Sequence, residues 1–497
     1  MAERHPATGR DAAVAAAVIH DGETGPQAGD DGSPRSACHH LLARAGLEPA
    51  DVAADICFTG ADPVVPSRHR YGAATAGALA AQAALVATIW QRRGGAPQRV
   101  TVDLARAVNL GLRTTFALRQ NGHGFDVGSP TRARNFFRTR DGRQIYLLRN
   151  NGRGTITEDL IGLLRCPNST EGIAAAVADW QAADLEEALA AIRLPGVVVR
   201  SRREWRAHPQ GRLLAAQPGV RIERIGDSAP EPLVAAARPL AGVRVLDASH
   251  VIAGPAAGRL LAEQGADVLH VTNPAERETQ PIVMDLGFGK RAAFIDLNRA
   301  ADVAQLRRLA STADIFIESW RPGAMQRRGF GPQDLAALRP GIVYVAISCY
   351  GSEGPWAPRG GYEPIGQAVS GLSLQEGSPD QPRNAPTLTM NDYLAAYLAG
   401  VGALGALLRR ADEGGSYLVT TSLAQASMWV LEQGRLAPDV ALPAAGDHAA
   451  GPGDMLTTDT VFGSLTHVAP IVQYGATPGY WTRGPEPFGA SRPEWSS

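Results

Sequence analysis

PLAGVRVLDASHVIAGPAAGRLLAEQGADVLHV, residues Pro239–Val271, opens the stretch on which the reading of this fold turns. The stretch continues through GKRAAFIDL (Gly289–Leu297), ADIFIESWRPGAMQRRGFG (Ala313–Gly331) and IVYVAISCYGSEGP (Ile342–Pro355). It passes GGYEPIGQAVSGL (Gly360–Leu372) and closes on the helix that begins at MNDYLAAYLAG (Met390–Gly400). Four short β-branched, apolar runs predict strands at 243–246, 268–271, 315–317 and 342–347. Segments with helical spacing lie between them, at 256–264 and 301–310. Strands alternating with helices predict an α/β fold with a parallel, Rossmann-like sheet covered on both faces. Ligands are then expected at the strand ends and the loops that follow them.

Working outward, 497 residues are enough for more than one domain. Apolar residues make up 44% and charged residues 20%, the composition of a globular protein expected in the cytoplasm. The 48 Lys and Arg balance the 49 Asp and Glu, so no overall field draws nucleic acid or a membrane surface. No apolar run is read as a membrane span, and no secretory signal is read at the N-terminus. Cys38, Cys57, Cys166 and Cys349 are far apart, which argues against a disulfide framework or a thiolate zinc site. Cys38-His39-His40 cannot close a tetrahedral site alone, so no metal is expected.

Five segments follow from changes in texture. Residues 1–37 read as a mobile lead-in, and 38–130 as a helical segment with a long Ala-rich helix at 72–91. Residues 131–237 read as a small α+β domain, with a hairpin turning at Asp141-Gly142, a helix over 172–192 and a strand and helix start in 194–211. Residues 238–436 form the central unit. Residues 437–497 form a linker and a tail whose Tyr480, Trp481, Phe488 and Trp495 are expected to pack on another part of the molecule or on a partner subunit. QRRGGAPQRVTVDLARAV (91–108) matches RRADEGGSYLVTTSLAQAS (409–427) in its double Arg, double Gly and strand, which reads as an internal duplication. The second copy begins with Asp392, whereas the first has no carboxylate over 67–75.

The quoted motifs, in that order from Pro239 to about Ser427, resemble the class III CoA-transferase family, which includes formyl-CoA and carnitine CoA-transferases and α-methylacyl-CoA racemases. The FFRTRDGRQIYL and EWRAHPQG segments resemble the family's C-terminal domain, here placed ahead of the nucleotide-type domain. The order therefore resembles a fusion or partial duplication. The resemblance implies a class III CoA-transferase fold, a homodimer, an acyl-CoA substrate with a carboxylic acid acceptor, and no permanently bound cofactor.

It also implies site residues. Asp392 is the expected catalytic residue, attacking a thioester carbonyl to give a mixed anhydride and then an aspartyl-CoA thioester. A helix N-terminus is expected to hold it ionised, and the plainer reading of Asn391 or Asp392 is a helix cap. The turn Ile252-Ala253-Gly254 is expected to approach CoA, with a simple tight turn as the other reading. Lys290, Arg291, Arg321 and Arg327 are expected phosphate contacts, since Arg offers a multi-donor fork and Lys a compact charge. Tyr350 is expected to donate to the reacting oxygen, and Tyr362, Glu363 and Gln367 to line the acyl pocket. Tyr350 also fits a buried packing residue. His208 and His250 read as structural. Val271-Thr272-Asn273-Pro274 and Ser319 depart from the family pattern and bear on CoA affinity.

Three further readings stand beside transfer. A racemase of the same superfamily would need a His/Asp pair, and Tyr362 occupies the loop where its His would lie. A non-catalytic CoA-ester-binding homologue would keep the fold and bind without turnover. A nicotinamide-dependent dehydrogenase lacks its glycine fingerprint here.

Overall fold

The computed structural model describes residues 31–125, 135–148, 156–387, 389–444 and 450–496. The expectation for the lead-in thus falls largely outside the described residues. Seven strands form the main sheet, in the order Lys290–Phe294, Asp267–Thr272, Arg244–Asp247, Ile315–Glu318, Val343–Ser348, Ser416–Ser422, Arg221–Gly226. Neighbours are parallel except the last pair, which is antiparallel. Counted along the chain, the six parallel strands stand in the doubly wound order 3-2-1-4-5-6. The order reverses between Arg244–Asp247 and Ile315–Glu318, so a crevice opens beyond their carboxyl ends.

Alternation along each strand sends side chains to two cores. Val245, Val268, Ile315 and Ile317 join the larger core, which also includes Ala253–Glu263 and Met390–Glu413 helix residues. Leu246, Leu269, Phe316 and Tyr344 pack on the other side with residues of the helices Ala300–Ala310 and Pro332–Leu338. Both faces are covered, which is why these strands read as unbroken apolar runs rather than alternating ones.

The duplication has a structural counterpart. Helix Tyr71–Arg92 leads to strand Gln98–Asp103, and helix Met390–Glu413 leads to strand Ser416–Ser422. Each strand ends in a residue that caps the next helix: Asp103 accepts from Arg106 N–H and Ser422 from Gln425 N–H. Residues 67–75 hold no carboxylate, but one from before that stretch serves the first copy's helix. Asp62, which lies shortly before 67–75 in the chain, reaches the start of Tyr71–Arg92 and accepts the N–H groups of Gly72 and Ala73, each at 2.8 Å. Both long helices also correct the membrane reading. By length and mean hydropathy (1.5 and 1.2) they are able to cross a membrane, and 100% and 89% of their apolar windows are buried inside the molecule.

The small unit is a three-stranded sheet, Phe136–Arg138, Gln144–Leu147 and Gly196–Val198, turning at Asp141-Gly142. The helix expected over 172–192 is instead two, Thr170–Val177 and Ala182–Ala191. The break has a cause: the Asp141 carboxylate accepts from Ala182 N–H at 3.2 Å, and the Trp180 carbonyl accepts from Arg140 N–H.

The segments interleave more than their sequence boundaries indicate. Strand Arg221–Gly226, from the 131–237 segment, completes the main sheet. Gln473–Tyr474 pairs with Gln98–Asp103, and a hairpin of Met455–Thr460 and Gly463–Val468 pairs with Arg119–Gln120. The aromatic tail packs within the chain: Trp481 lies over the Arg259 guanidinium, Tyr480 over Arg238, and the Trp495 indole N–H donates to Thr312. It also bonds along the outer strand Lys290–Phe294, through Gly289 N–H to Arg483 and Ser491 N–H to Ala292, covering an edge that would otherwise be open.

Candidate active site

Asp392 lies in the first turn of Met390–Glu413, whose N-cap is Thr389. The side chain is therefore not the helix cap. It is 7% exposed, and its carboxyl has no hydrogen-bond partner among the described residues. The helix N-terminus was expected to hold it ionised, but two opposing effects prevail. Burial first, and the Glu363 carboxylate second, push its pKa well above the ordinary value.

Glu363 is fixed from several directions. It opens helix Glu363–Ser370, and its Oε1 accepts from Gln367 Nε2 at 2.6 Å and from Asn391 N–H at 3.1 Å. Asn391 Nδ2 donates back to the Glu363 carbonyl at 3.0 Å, while Asn391 Oδ1 accepts from Ser427 at 2.8 Å. Gln367 Oε1 takes the Ala385 N–H at 2.6 Å. Burial lifts Glu363 to about 7 against these hydrogen bonds. Both carboxyls are thus buried, and the Glu363 charge disfavours ionisation of Asp392. Cys349 stands in the same field; burial raises its thiol far above the usual range, leaving it neutral.

Tyr350 and Tyr362 lie on the segment between strand Val343–Ser348 and helix Glu363–Ser370. No hydrogen bond joins Tyr350 to Asp392. Its ring meets Trp356 edge-on at 5.1 Å between centroids, and its carbonyl accepts from Gln210 Nε2 at 2.7 Å. Burial is the main cause that raises its hydroxyl pKa, and the charges acting on it include Glu186, Arg200 and Arg359 of the small unit and its loop. Tyr362 is half-buried at the N-cap of the Glu363 helix, near Arg321. His208 stacks on Trp205 and His250 on Trp320, both packing roles.

The crevice at the strand ends holds a cleft of about 490 Å³, lined by Ala248, Thr272, Asn273, Trp320, Arg327 and Arg328 among others. Arg328 is engaged by Leu297 and Asn298, whereas the Arg327 guanidinium has no partner among the described residues. A second cavity shares Thr272 with this cleft and is lined by His250, Val251, Pro255 and Lys290. A third shares Leu286 with the second and reaches Tyr393, the residue after Asp392. The three cavities form a series only in sharing lining residues, and neither Asp392 nor Glu363 lines any of them.

The expected CoA turn stands beside that series. Val251 has φ +62°, a left-handed conformation that a β-branched residue rarely adopts. Ile252 is the N-cap of helix Ala253–Glu263 and supplies no side-chain cap. Gly254 has a packing reason as well: a Cβ there would meet Ser249 Cβ at 2.2 Å.

The remaining expected phosphate contacts are occupied. Lys290 is buried, donating to Asp247 at 2.8 Å and to the Pro255 carbonyl at 2.6 Å. Lys290 and His270 together hold Asp247 well below the usual carboxylate range. Arg291 is paired with Asp267, and Arg321 donates to the Arg193 carbonyl at 3.0 Å. Of these four cations, Arg327 is the one left open toward a cleft.

Several contributors were not picked out from sequence. Asn391 and Ser427 complete the Glu363 network. Gln210, fully buried, clamps the Tyr350–Trp356 loop through Tyr350, Glu353 and Trp356. Their signal was only that of polar residues in apolar surroundings, and their partners lie far away in sequence. Among the described residues, no group of three or more His, Cys, Asp or Glu is placed to hold a metal ion.

Residues 240–453 match the model of CoA-transferase family III. Acetyl-coenzyme A transferase nodX of Hypoxylon pulicicidum is 38% identical over 201 residues, covering 39% of this chain and 34% of that protein. An acyl-CoA transferase of Gibberella moniliformis is 33% identical over 270 residues, covering 52% and 48%. The succinyl-CoA–D-citramalate CoA-transferase of Chloroflexus aurantiacus is 32% identical over 210 residues, covering 39% and 52%. The chain thus spans about a third to a half of the length of these relatives. A crystal structure of Rv3272 from Mycobacterium tuberculosis is similar at 32% identity with a TM-score of 0.37, covering 39% of this chain and 55% of that one.

Proposed function

We propose that the protein is an acyl-CoA:carboxylate CoA-transferase in which Asp392 forms the covalent intermediates. The observation that supports this reading is the buried Asp392 carboxyl, at the start of its helix and under the influence of the Glu363 carboxylate.

The Arg327 cleft suits the phosphorylated end of a CoA ester, because a guanidinium offers several donors to phosphate oxygens. The uncapped start of Ala253–Glu263 adds free backbone N–H groups beside the path, which also favour an anion. A carboxylate with a raised pKa is the stronger nucleophile once ionised. Asp392 attacks the thioester carbonyl; the C–S bond breaks, giving a mixed anhydride and CoA thiolate. The thiolate attacks the aspartyl carbonyl, releasing the donor acid and leaving an aspartyl-CoA thioester. An acceptor carboxylate repeats both steps in reverse and restores Asp392. The low exposure of the site keeps water from the anhydride.

A racemase is less well supported. The groups that shift Asp392 are its burial and Glu363, with no histidine base among them. The same proposal takes a homodimer in the cytoplasm without a resident cofactor, on the resemblance of the 240–453 segment alone.

Initial-rate kinetics with a panel of acyl-CoAs and carboxylic acids test the reading. Ping-pong patterns are expected, and Asp392→Ala is expected to lower turnover at least about a thousandfold. Sequential kinetics with an active Asp392→Ala protein would overturn it.

A further inference from the structure

The second helix of the first duplicated unit breaks where it meets the Asp392 helix. In the second unit, strand Ser416–Ser422 runs into one regular helix, Leu423–Glu432. In the first, strand Gln98–Asp103 runs into a single turn, Leu104–Arg106, then a π-helical turn, Ala107–Gly111, and then the short helix Thr114–Ala117. Turns of this kind are rare and often mark functional places. An unbroken helix would join the Thr115 N–H to the Gly111 carbonyl and the Phe116 N–H to the Leu112 carbonyl. Here the Phe116 N–H turns to the Arg113 carbonyl, and the other three groups go to the Asp392 helix.

Their partners are Thr389, Tyr393 and Tyr397, spaced by four and so set along one helix face. The Leu112 carbonyl accepts from the Thr389 hydroxyl at 3.1 Å, and the Gly111 carbonyl from the Tyr397 hydroxyl at 2.5 Å. The Tyr393 hydroxyl accepts the Thr115 N–H at 3.1 Å. It also lies 2.8 Å from the hydroxyls of Thr114 and Thr115, and both threonines bond the fully buried Asp285 carboxylate. Arg259 faces that carboxylate at 3.7 Å and supplies the opposite charge. Tyr393, Tyr397, Thr114 and Thr115 are themselves buried, where an unmet polar group is costly, so the contact favours a single register.

No hydrogen bond among the described residues holds the Asp392 carboxyl, so its direction follows from the helix backbone. Tyr393 stands about 100° round the helix from it. A rotation or slide of the first turn therefore carries the carboxyl with it, and a displacement of about 1 Å costs up to about a hundredfold in rate.

We propose that the 107–117 segment is the positioning element for Asp392, with Tyr393, Thr115 and Asp285 as positioning residues. The proposal rests on the reading of Asp392 as the residue that is acylated. It gives the first duplicated unit, whose own residues 67–75 hold no carboxylate, a part in the reaction.

Single-turnover labelling tests this, with the full-length protein given acetyl-, succinyl- or hexanoyl-CoA and the Asp392 peptide followed by mass spectrometry after hydroxylamine trapping. With the donor that labels the wild type, Tyr393→Phe and Thr115→Val are expected to lower the maximal rate about tenfold or more, with the half-saturating donor concentration unchanged. Thr115→Ser, which keeps the hydroxyl, is expected to stay near the wild-type rate. Bonds that serve stability alone would lower the thermal midpoint and leave the rate per folded molecule unchanged. That result overturns the proposal, as does a loss in Thr115→Ser equal to that in Thr115→Val. Thr389→Val, at the half-buried helix start, gives the same readout should Thr115→Val fail to fold. An unlabelled Asp392 in the wild type overturns the transferase reading and this proposal with it, whereas undiminished labelling in the variants overturns this proposal alone.

Discussion

Glu363 raises the pKa of Asp392, so the two residues predict a pH profile as well as a mechanism. Replacing Glu363 by Gln removes the negative neighbour and keeps an oxygen to accept the Asn391 N–H. The Asp392 pKa then falls, and the acid limb of kcat/KM is expected to move down by about one pH unit. A limb that stays in place would mean that Glu363 does not act on the titrating group. Asp392, Glu363 and Gln367 were legible because they fall within motifs that recur in one order. The bonds made by Asn391, Ser427 and Gln210 were not, since each takes its meaning from a partner on a distant segment. Lys290 shows the opposite problem. In GKRAAFIDL it reads as an exposed loop cation, yet it starts a strand and turns inward to Asp247, which a linear sequence does not reveal.

At the scale of elements, the four strands and the long helices were legible in the central stretch because their apolar runs are covered on both faces. Strand Ala54–Thr59 and the hairpin of Met455–Thr460 and Gly463–Val468 were not. Their outward faces are polar or half-exposed, and the hairpin's neighbour is more than three hundred residues away in sequence. The Asp392 helix depends on close packing against the main sheet. A Cβ on Gly402 would meet Val419 at 2.3 Å and Val220 at 2.8 Å. Gly402→Val is therefore expected to destabilise the fold by about 1–3 kcal/mol, seen as a lower denaturation midpoint. An unchanged midpoint would mean that helix and sheet can separate without cost.

The whole molecule combines interleaved segments around buried ionisable groups, and these make its stability depend on pH. Burial raises Glu318 to about 8, and Glu263 and Glu363 to about 7. The folded state then keeps protons that the unfolded chain loses from about pH 4.5 upward, so these groups lower stability as pH rises toward 8. His69 and His467 are depressed to about 3 and about 4, so they lower stability as pH falls below about 6.5. Above that pH the carboxyls act alone. Glu318→Gln is expected to flatten the fall between pH 6.5 and 8, measured by thermal unfolding; an unaltered slope would contradict the assignment of that group. The two buried carboxyls and the strand-end cleft lie in one molecule, and the central claim is that Asp392 becomes covalently acylated. Its most direct test is peptide mass spectrometry after incubation with acyl-CoAs and trapping by hydroxylamine. A modification confined to the peptide bearing Asp392, and absent from Asp392→Ala, is the predicted result. Acyl-CoA binding with no modification at that residue under any donor would contradict it.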